Sequence, residues 1–143
     1  MNAEEVWRYF PHTYAQVVSG GKWKPYPYLV RISEAITDAL AEGKGRILVF
    51  LAPRHGKSSF VSLWLPIWFL DTFPTKNVIL TSYEAGVAAS WGRRVRNTLD
   101  QNELCKTKLS EDSKAAHRWE TTEGGGMVTA GIGGPISGRG GNL

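Results

Sequence analysis

The sequence is nearly free of cysteine and lacks long apolar runs. Cys105 is the single cysteine among 143 residues, so no internal disulfide can form, and no Cys/His spacing typical of a zinc site occurs. The most apolar stretch, residues 60–70, is too short to cross a bilayer and contains Pro66. The N-terminus has no apolar core of the kind found in secretory signals. We therefore expect a soluble intracellular protein with no membrane contact.

Charge of either sign is also modest. The chain has 17 lysines and arginines against 13 acidic residues, which gives a net charge of +4. The hydrophobic fraction of 42% suits a single globular domain. A small positive charge is compatible with a polyanionic partner such as nucleic acid, but a solvated basic surface produces the same composition.

One loop carries the strongest functional pattern. The apolar residues 46–51 predict a buried strand, residues 60–70 predict a buried helix, and a glycine-lysine-serine sequence lies between them. In such a loop, backbone N–H groups converge on an anion at the positive end of the helix dipole. The full stretch is Leu51-Ala52-Pro53-Arg54-His55-Gly56-Lys57-Ser58-Ser59.

Each residue of the glycine-lysine-serine sequence has a distinct expected task. Gly56 allows the backbone to approach a phosphate closely. Lys57 would reach the β- and γ-phosphates of ATP, and the hydroxyl of Ser58 would bind Mg²⁺. The first glycine of the usual phosphate-loop pattern is replaced here by Leu51. The prediction therefore depends on the flanking strand and helix, and the alternative is a surface turn with a solvated lysine.

Periodicity predicts the other elements. Because residues 46–51 and 77–82 are nearly continuously apolar with a helix between them, we expect a parallel strand pair with a right-handed crossover. Residues 102–113 are polar and are expected to form an irregular connection with a short helix. Helices are predicted over residues 3–18, 29–42 and 84–101, and two short strands over residues 117–122 and 127–130 around a glycine-rich turn.

Two further groups of side chains are candidates for binding. Trp23, Tyr26 and Tyr28 precede the second predicted helix, where aromatic faces could stack on an adenine ring or simply pack the start of that helix. The helix predicted over residues 84–101 contains three arginines that could contact a phosphate backbone or form a solvated face. These arginines are Arg93, Arg94 and Arg96.

Four segments together resemble the large terminase subunit of tailed bacteriophages, the motor that packages viral DNA. They are the loop at residues 52–58, the strand ending in Thr81-Ser82-Tyr83, the helix with Gly92-Arg93-Arg94-Val95-Arg96, and the glycine-rich residues 131–141. A phosphate loop without its first glycine is itself typical of that family. The resemblance covers nearly the whole chain.

The resemblance implies an α/β fold, specifically a P-loop NTPase-like three-layer fold with a parallel central sheet. Residues 1–45 would form a helical lead-in with a possible adenine pocket, and residues 46–143 an incomplete nucleotide-binding core. The acidic strand that binds Mg²⁺ and the nuclease domain would come later in the family's sequence. The chain is therefore expected to be the N-terminal part of the ATPase domain, truncated before the acidic strand and inactive by itself.

The resemblance also implies residue roles, with ATP and Mg²⁺ as cofactors. Arg54 would sense the γ-phosphate, and Arg139 would be supplied to the ATP of a neighbouring subunit, where it would neutralise charge on the transferring phosphoryl group. Arg54, Lys57 and Arg139 are thus the candidate catalytic residues, and Ser58 is the candidate metal ligand. The candidate nucleotide-binding residues are Pro53, Arg54, His55, Gly56, Lys57, Ser58, Ser59 and Tyr28.

The function implied by the resemblance is the coupling of ATP hydrolysis to translocation of double-stranded DNA into a capsid. The protein would be a phage or prophage protein of the host cytoplasm. Its implied partners are double-stranded DNA, the portal, the small terminase subunit and further copies in a homo-oligomeric ring. The alternatives are a non-catalytic nucleotide- or DNA-binding fragment, or another P-loop NTPase such as a helicase-like protein.

Overall fold

The chain combines helices with one mixed sheet, which confirms the predicted α/β class. A computed structural model describes residues 3–53, 56–134 and 140–143. The chain divides into an N-terminal unit, Met1–Trp64, and a C-terminal unit, Leu65–Leu143.

The N-terminal unit is helical. A 3-10 helix, Ala3–Arg8, is followed by α1, Pro11–Val18, and α2, Pro27–Ala41. Each of the two α-helices begins at a proline, because proline lacks the N–H that would have no partner at that position. The single helix predicted over residues 3–18 is therefore divided at Pro11. Two short helical segments complete the unit, α3, Lys57–Ser59, and a π-helix, Phe60–Trp64.

The C-terminal unit is a four-stranded sheet with helices. Its elements are α4, Leu65–Thr72; β1, Asn77–Ser82; α5, Ala85–Gln101; β2, Leu109–Ala115; β3, Arg118–Thr121; and β4, Gly126–Gly131. The strand order is β1-β4-β3-β2. β1 and β4 are parallel, whereas β3 is antiparallel to both β4 and β2. The predicted strand over residues 77–82, the helix over residues 84–101 and the short hairpin are confirmed.

Helix α5 packs closely on the sheet. A Cβ atom at Gly92 would lie 2.7 Å from the Ala116 carbonyl oxygen and 2.8 Å from the Thr129 methyl carbon, so glycine permits the contact. The indole N–H of Trp119 donates a hydrogen bond of 3.1 Å to the Gly92 carbonyl. The buried stripe of α5 consists of Ala88, Gly92, Val95 and Leu99, whereas Val87 is exposed.

The predicted strand over residues 46–51 is wrong, because these residues form neither strand nor helix. Leu48 is 85% and Phe50 88% exposed. An apolar run becomes a strand only when a neighbouring strand satisfies its backbone N–H and C=O groups. The parallel partner of β1 is β4, so the expected strand-helix-strand unit built on residues 46–51 is wrong as well.

Two further segments differ from expectation. Residues 102–113 include most of β2, although the polar sequence LSEDSKA has little apolar alternation. The helix predicted over residues 60–70 begins as the π-helix and continues as α4 to Thr72. In the part of the chain that is described, no helix combines the length and apolar character that a membrane span requires.

A half-buried histidine links α1 to α2. His12 Nδ1 lies 2.8 Å from the Ser33 hydroxyl oxygen, which also accepts a hydrogen bond from the His12 backbone N–H at 3.2 Å. Burial lowers the pKa of His12 below its ordinary value of 6.5, and the charge of Glu34 opposes this shift only in part. The folded unit therefore favours neutral His12.

The N-terminal unit is expected to lose stability as the pH falls below 6.5. In that range the unfolded chain binds a proton at His12 that the folded chain resists, so the free energy of unfolding decreases with decreasing pH. Urea unfolding between pH 5 and 8 measures this dependence. His12→Gln should flatten it, whereas His117→Gln, at an exposed position, should leave it unchanged. Equal pH dependence in wild type and His12→Gln would contradict the assignment.

Candidate functional site

Gly56 forms the turn that begins the helical segment after the loop. Its backbone has φ of 79° and ψ of 7°, in the left-handed region, and α3 starts at the next residue, Lys57. A side chain at such a position costs about 1–2 kcal/mol, which explains the glycine. The Phe60 N–H donates to the Gly56 carbonyl at 3.0 Å and thereby closes the first turn. The helical segment thus starts next to Gly56, three residues before the helix predicted over residues 60–70.

The start of this helical segment offers groups suited to an anion. The first N–H groups of a helix have no partner within it and carry the positive end of its dipole. Lys57 and Ser59 are half-buried, and Ser58 is exposed. One lysine and two hydroxyls therefore accompany the first backbone N–H groups. Such a combination can bind a phosphate group and place one hydroxyl beside it.

The turn is held by the core of the N-terminal unit. Phe60 is fully buried and meets Trp23 edge to face, with ring centroids 5.2 Å apart at an interplanar angle of 68°. Leu29 belongs to the same cluster, and its Cδ1 atom lies 3.7 Å from the position of a Cβ atom built on Gly56. The start of α2 thus lies near the turn. The sequence predicted Leu29 and Phe60 only as the first residues of two helices and connected neither with the loop.

The three aromatic residues around the start of α2 lie in different environments. Trp23 is buried, which assigns it to packing. Tyr28 is half-buried against the core cluster and stacks on Tyr26, with ring centroids 5.8 Å apart and planes inclined by only 4°. Tyr26 is exposed. Since the Leu29 side chain lies near Gly56, the first turn of α2, which includes Tyr28, is close to the loop.

Three of the predicted site residues lie outside the described residues. These are Arg54, His55 and Arg139. Their predicted roles at the γ-phosphate and in a neighbouring subunit remain predictions. Pro53, the last described residue before this gap, is exposed in a turn. The described part of the candidate site therefore consists of Pro53, residues 56–59 and Tyr28.

The donor set for Mg²⁺ in the described residues is small. Ser58 presents an exposed hydroxyl at the start of α3. Among residues 3–53, 56–134 and 140–143, no group of three or more His, Cys, Asp or Glu side chains could hold a metal ion. Mg²⁺ in nucleotide sites usually keeps several waters and binds phosphate oxygens together with few protein ligands. Ser58 fits one such position.

The arginines of α5 differ in their surroundings. Arg93 and Arg94 are exposed, and the Arg94 guanidinium carbon lies 4.7 Å from the centroid of the Trp91 ring. Arg96 is half-buried and donates a hydrogen bond of 2.6 Å to the Lys114 carbonyl. Arg93 and Arg94 therefore remain accessible to a polyanion. Arg96 connects α5 to β2 and therefore fits neither a solvated face nor a free contact with a phosphate backbone.

No protein-family model, curated protein or solved structure matches this chain. A functional assignment therefore depends on the residues and the geometry described above.

Proposed function

We propose that this chain is the ATP-binding part of a P-loop ATPase of the terminase large-subunit type, in which ATP hydrolysis drives translocation of double-stranded DNA. The observation that supports the proposal is the left-handed Gly56 directly before a helical segment that begins with Lys57 and Ser58. This is the helix side of the geometry that a glycine-lysine-serine phosphate loop requires, whereas the strand expected before the loop is absent from residues 46–51. The P-loop three-layer fold is part of the proposal.

In the proposed site, each described residue has a physical task. The Lys57 ammonium group neutralises charge on the β- and γ-phosphates, while the N–H groups after Gly56 orient them. The Ser58 hydroxyl would hold Mg²⁺, which supplies charge neutralisation when bound. Phe60 fixes the helix start through its contact with Trp23. The protein thus positions the triphosphate through the backbone and a single strong charge.

The nucleoside end of ATP is assigned to the start of α2. Tyr26 and Tyr28 form a parallel aromatic pair there, and Tyr26 is 52% exposed. An aromatic face can stack on adenine without recognising its hydrogen-bonding edge. Leu29, next to Tyr28, lies near Gly56, so the start of α2 is close to the proposed phosphate site.

The positive charge of exposed arginines supports DNA as a partner. Arg93 and Arg94 are exposed on α5, and the chain carries a net charge of +4. Arginine guanidinium groups bind phosphate oxygens of a nucleic-acid backbone without reading its sequence. The portal, the small terminase subunit and the homo-oligomeric ring follow from the family resemblance alone.

Nucleotide titration with Lys57→Ala tests the assignment of the phosphate loop. Loss of a charged hydrogen-bond donor to a phosphate is expected to weaken binding of Mg-ATP by about 10- to 100-fold. Isothermal titration calorimetry with a non-hydrolysable ATP analogue measures this change. Lys44→Ala, in the same unit and exposed, is the matched control and should bind as the wild type does. Equal affinities of Lys57→Ala and Lys44→Ala would contradict the proposed function.

A further inference from the structure

The start of α2 and the segment before it carry positive charge that the proposed phosphate loop does not use. Lys22, Lys24 and Arg31 are exposed, and none of the three forms an ion pair with a described residue. Residues 6–33 contain no aspartate or glutamate. These cations therefore have no acidic neighbour within this part of the sequence. A basic surface of this kind favours a polyanionic partner.

Two stacked tyrosines lie between these cations in the sequence. The rings of Tyr26 and Tyr28 are nearly parallel, with centroids 5.8 Å apart and planes inclined by 4°. Tyr28 packs against the core cluster of the N-terminal unit, whereas Tyr26 is 52% exposed. The inner ring thus supports the outer one, which can stack on a further aromatic ring. Arg31 follows Tyr28 by three residues in α2, so the two share one side of the helix.

The backbone around the outer ring is held in place. A proline fixes its own φ angle and restricts the residue before it, and Pro25 and Pro27 stand on either side of Tyr26. The Tyr26 N–H donates to the Lys24 carbonyl at 3.0 Å. Trp23, at the start of this segment, is buried in the core. A ligand at Tyr26 therefore meets a surface that needs little ordering, which lowers the entropy cost of binding.

We propose that this aromatic-basic surface, formed by Lys22, Lys24, Tyr26, Tyr28 and Arg31, binds single-stranded nucleic acid. One unpaired base stacks on Tyr26, and the three cations bind phosphates of the same strand. Aromatic stacking combined with positive charge recognises single strands without reading their sequence, because every base has a flat face. In a duplex the bases are stacked on one another, so the tyrosine pair gains no such contact.

A single nucleotide does not account for the whole surface. The adenine of ATP, as assigned above, uses the ring of Tyr26, and its phosphates lie at the phosphate loop. The three cations of the aromatic-basic surface then have no ligand, whereas a strand supplies a phosphate for every base. A strand and ATP exclude each other at Tyr26, but binding of the strand does not depend on the proposed ATP site.

Fluorescence anisotropy without ATP measures binding to labelled oligothymidylate and oligouridylate of about 15 nucleotides. The tighter of the two identifies DNA or RNA as the preferred ligand. Tyr26→Ala should weaken binding of that strand by about 10- to 100-fold, since it removes the stacked base. Tyr26→Phe should bind as the wild type does, because it keeps the ring. Tyr9→Ala is the matched control, at a tyrosine of the same unit that is 43% exposed.

The salt dependence of the affinity tests the cations. Lys22→Ala and Lys24→Ala should each reduce the slope of log affinity against log salt concentration by about 0.7. Lys44→Ala, at an exposed position of the same unit, should leave the slope unchanged. Lys57→Ala should bind the strand as the wild type does, which separates this site from the proposed phosphate loop.

Duplex DNA of the same length distinguishes stacking from charge. Tyr26→Ala should leave the affinity for the duplex within about threefold, since the duplex offers no unstacked base. Equal weakening of strand and duplex binding, or displacement of the strand by an equal concentration of polyglutamate of the same charge, would overturn the proposal in favour of charge alone. Equal affinities of Tyr26→Ala and Tyr9→Ala for the strand, or no binding of either strand by the wild type, would also overturn it.

Discussion

Replacement of Trp119 by alanine is expected to lower the free energy of unfolding of the C-terminal unit by about 3–5 kcal/mol. Trp119 is 1% exposed and lies on β3, where it pairs with Met127 of β4. Its loss would open a large cavity between the sheet and α5. It would also remove the indole N–H that donates to the Gly92 carbonyl at 3.1 Å.

Urea unfolding followed by near-ultraviolet circular dichroism measures the effect of Trp119→Ala. Tyr83→Ala is the matched control, because it removes an aromatic side chain of the same unit that is 88% exposed. Its free energy of unfolding should stay within about 0.5 kcal/mol of the wild type. Trp119→Phe should fall between the two, since it keeps most of the packing and loses the hydrogen bond. Similar losses for Trp119→Ala and Tyr83→Ala would show that the sheet does not pack on α5 through this indole.

Local periodicity predicted those helices and strands whose own residues carry the deciding sequence signal. β1 is confirmed at residues 77–82, and α2 and α5 begin and end within two residues of expectation. Proline at a first helical position explains why α1 starts at Pro11. In each case the deciding signal, an apolar stripe or a proline, lies within the element itself.

The pairing of the strands could not be predicted from local sequence patterns. Residues 46–51 are more apolar than β2, yet β2 is a strand and residues 46–51 are not. β2 pairs with β3 around a register shift between Leu109 and Lys114, and its mostly polar sequence gives little sign of this. Strand formation depends on an available neighbour, and neighbours are set by the tertiary structure.

The sequence predicted the turn of the candidate site but not the core residues that hold this turn in place. The left-handed conformation of Gly56 is one that glycine adopts without strain, so the glycine of the motif fits this turn. Leu29 and Phe60 hold that turn. The sequence predicted both only as residues of helices. Their contact joins positions far apart in the chain. A motif therefore indicates where an anion would bind, whereas only the packing of the folded chain identifies the residues that make the site rigid.

Replacement of Phe60 by alanine is expected to destabilise the N-terminal unit by about 3–5 kcal/mol. Phe60 has no exposed surface, meets Trp23 edge to face and belongs to the core cluster with Ala15 and Leu29. The same residue closes the turn at Gly56 through its backbone N–H. The variant should therefore lose affinity for the ATP analogue as well as stability, although residue 60 itself would not contact the phosphates.

Phe50→Ala is the control for Phe60→Ala that the chain itself supplies. It is the same substitution in the same unit, at a side chain that is 88% exposed. Its unfolding free energy should stay within about 0.5 kcal/mol of the wild type. Phe60→Ala should impair folding and nucleotide binding, whereas Phe50→Ala should leave both unchanged. Equal destabilisation by the two substitutions would mean that Phe60 does not anchor the loop through the core. Preserved nucleotide affinity in a folded Phe60→Ala variant would show that the turn at Gly56 does not need Phe60.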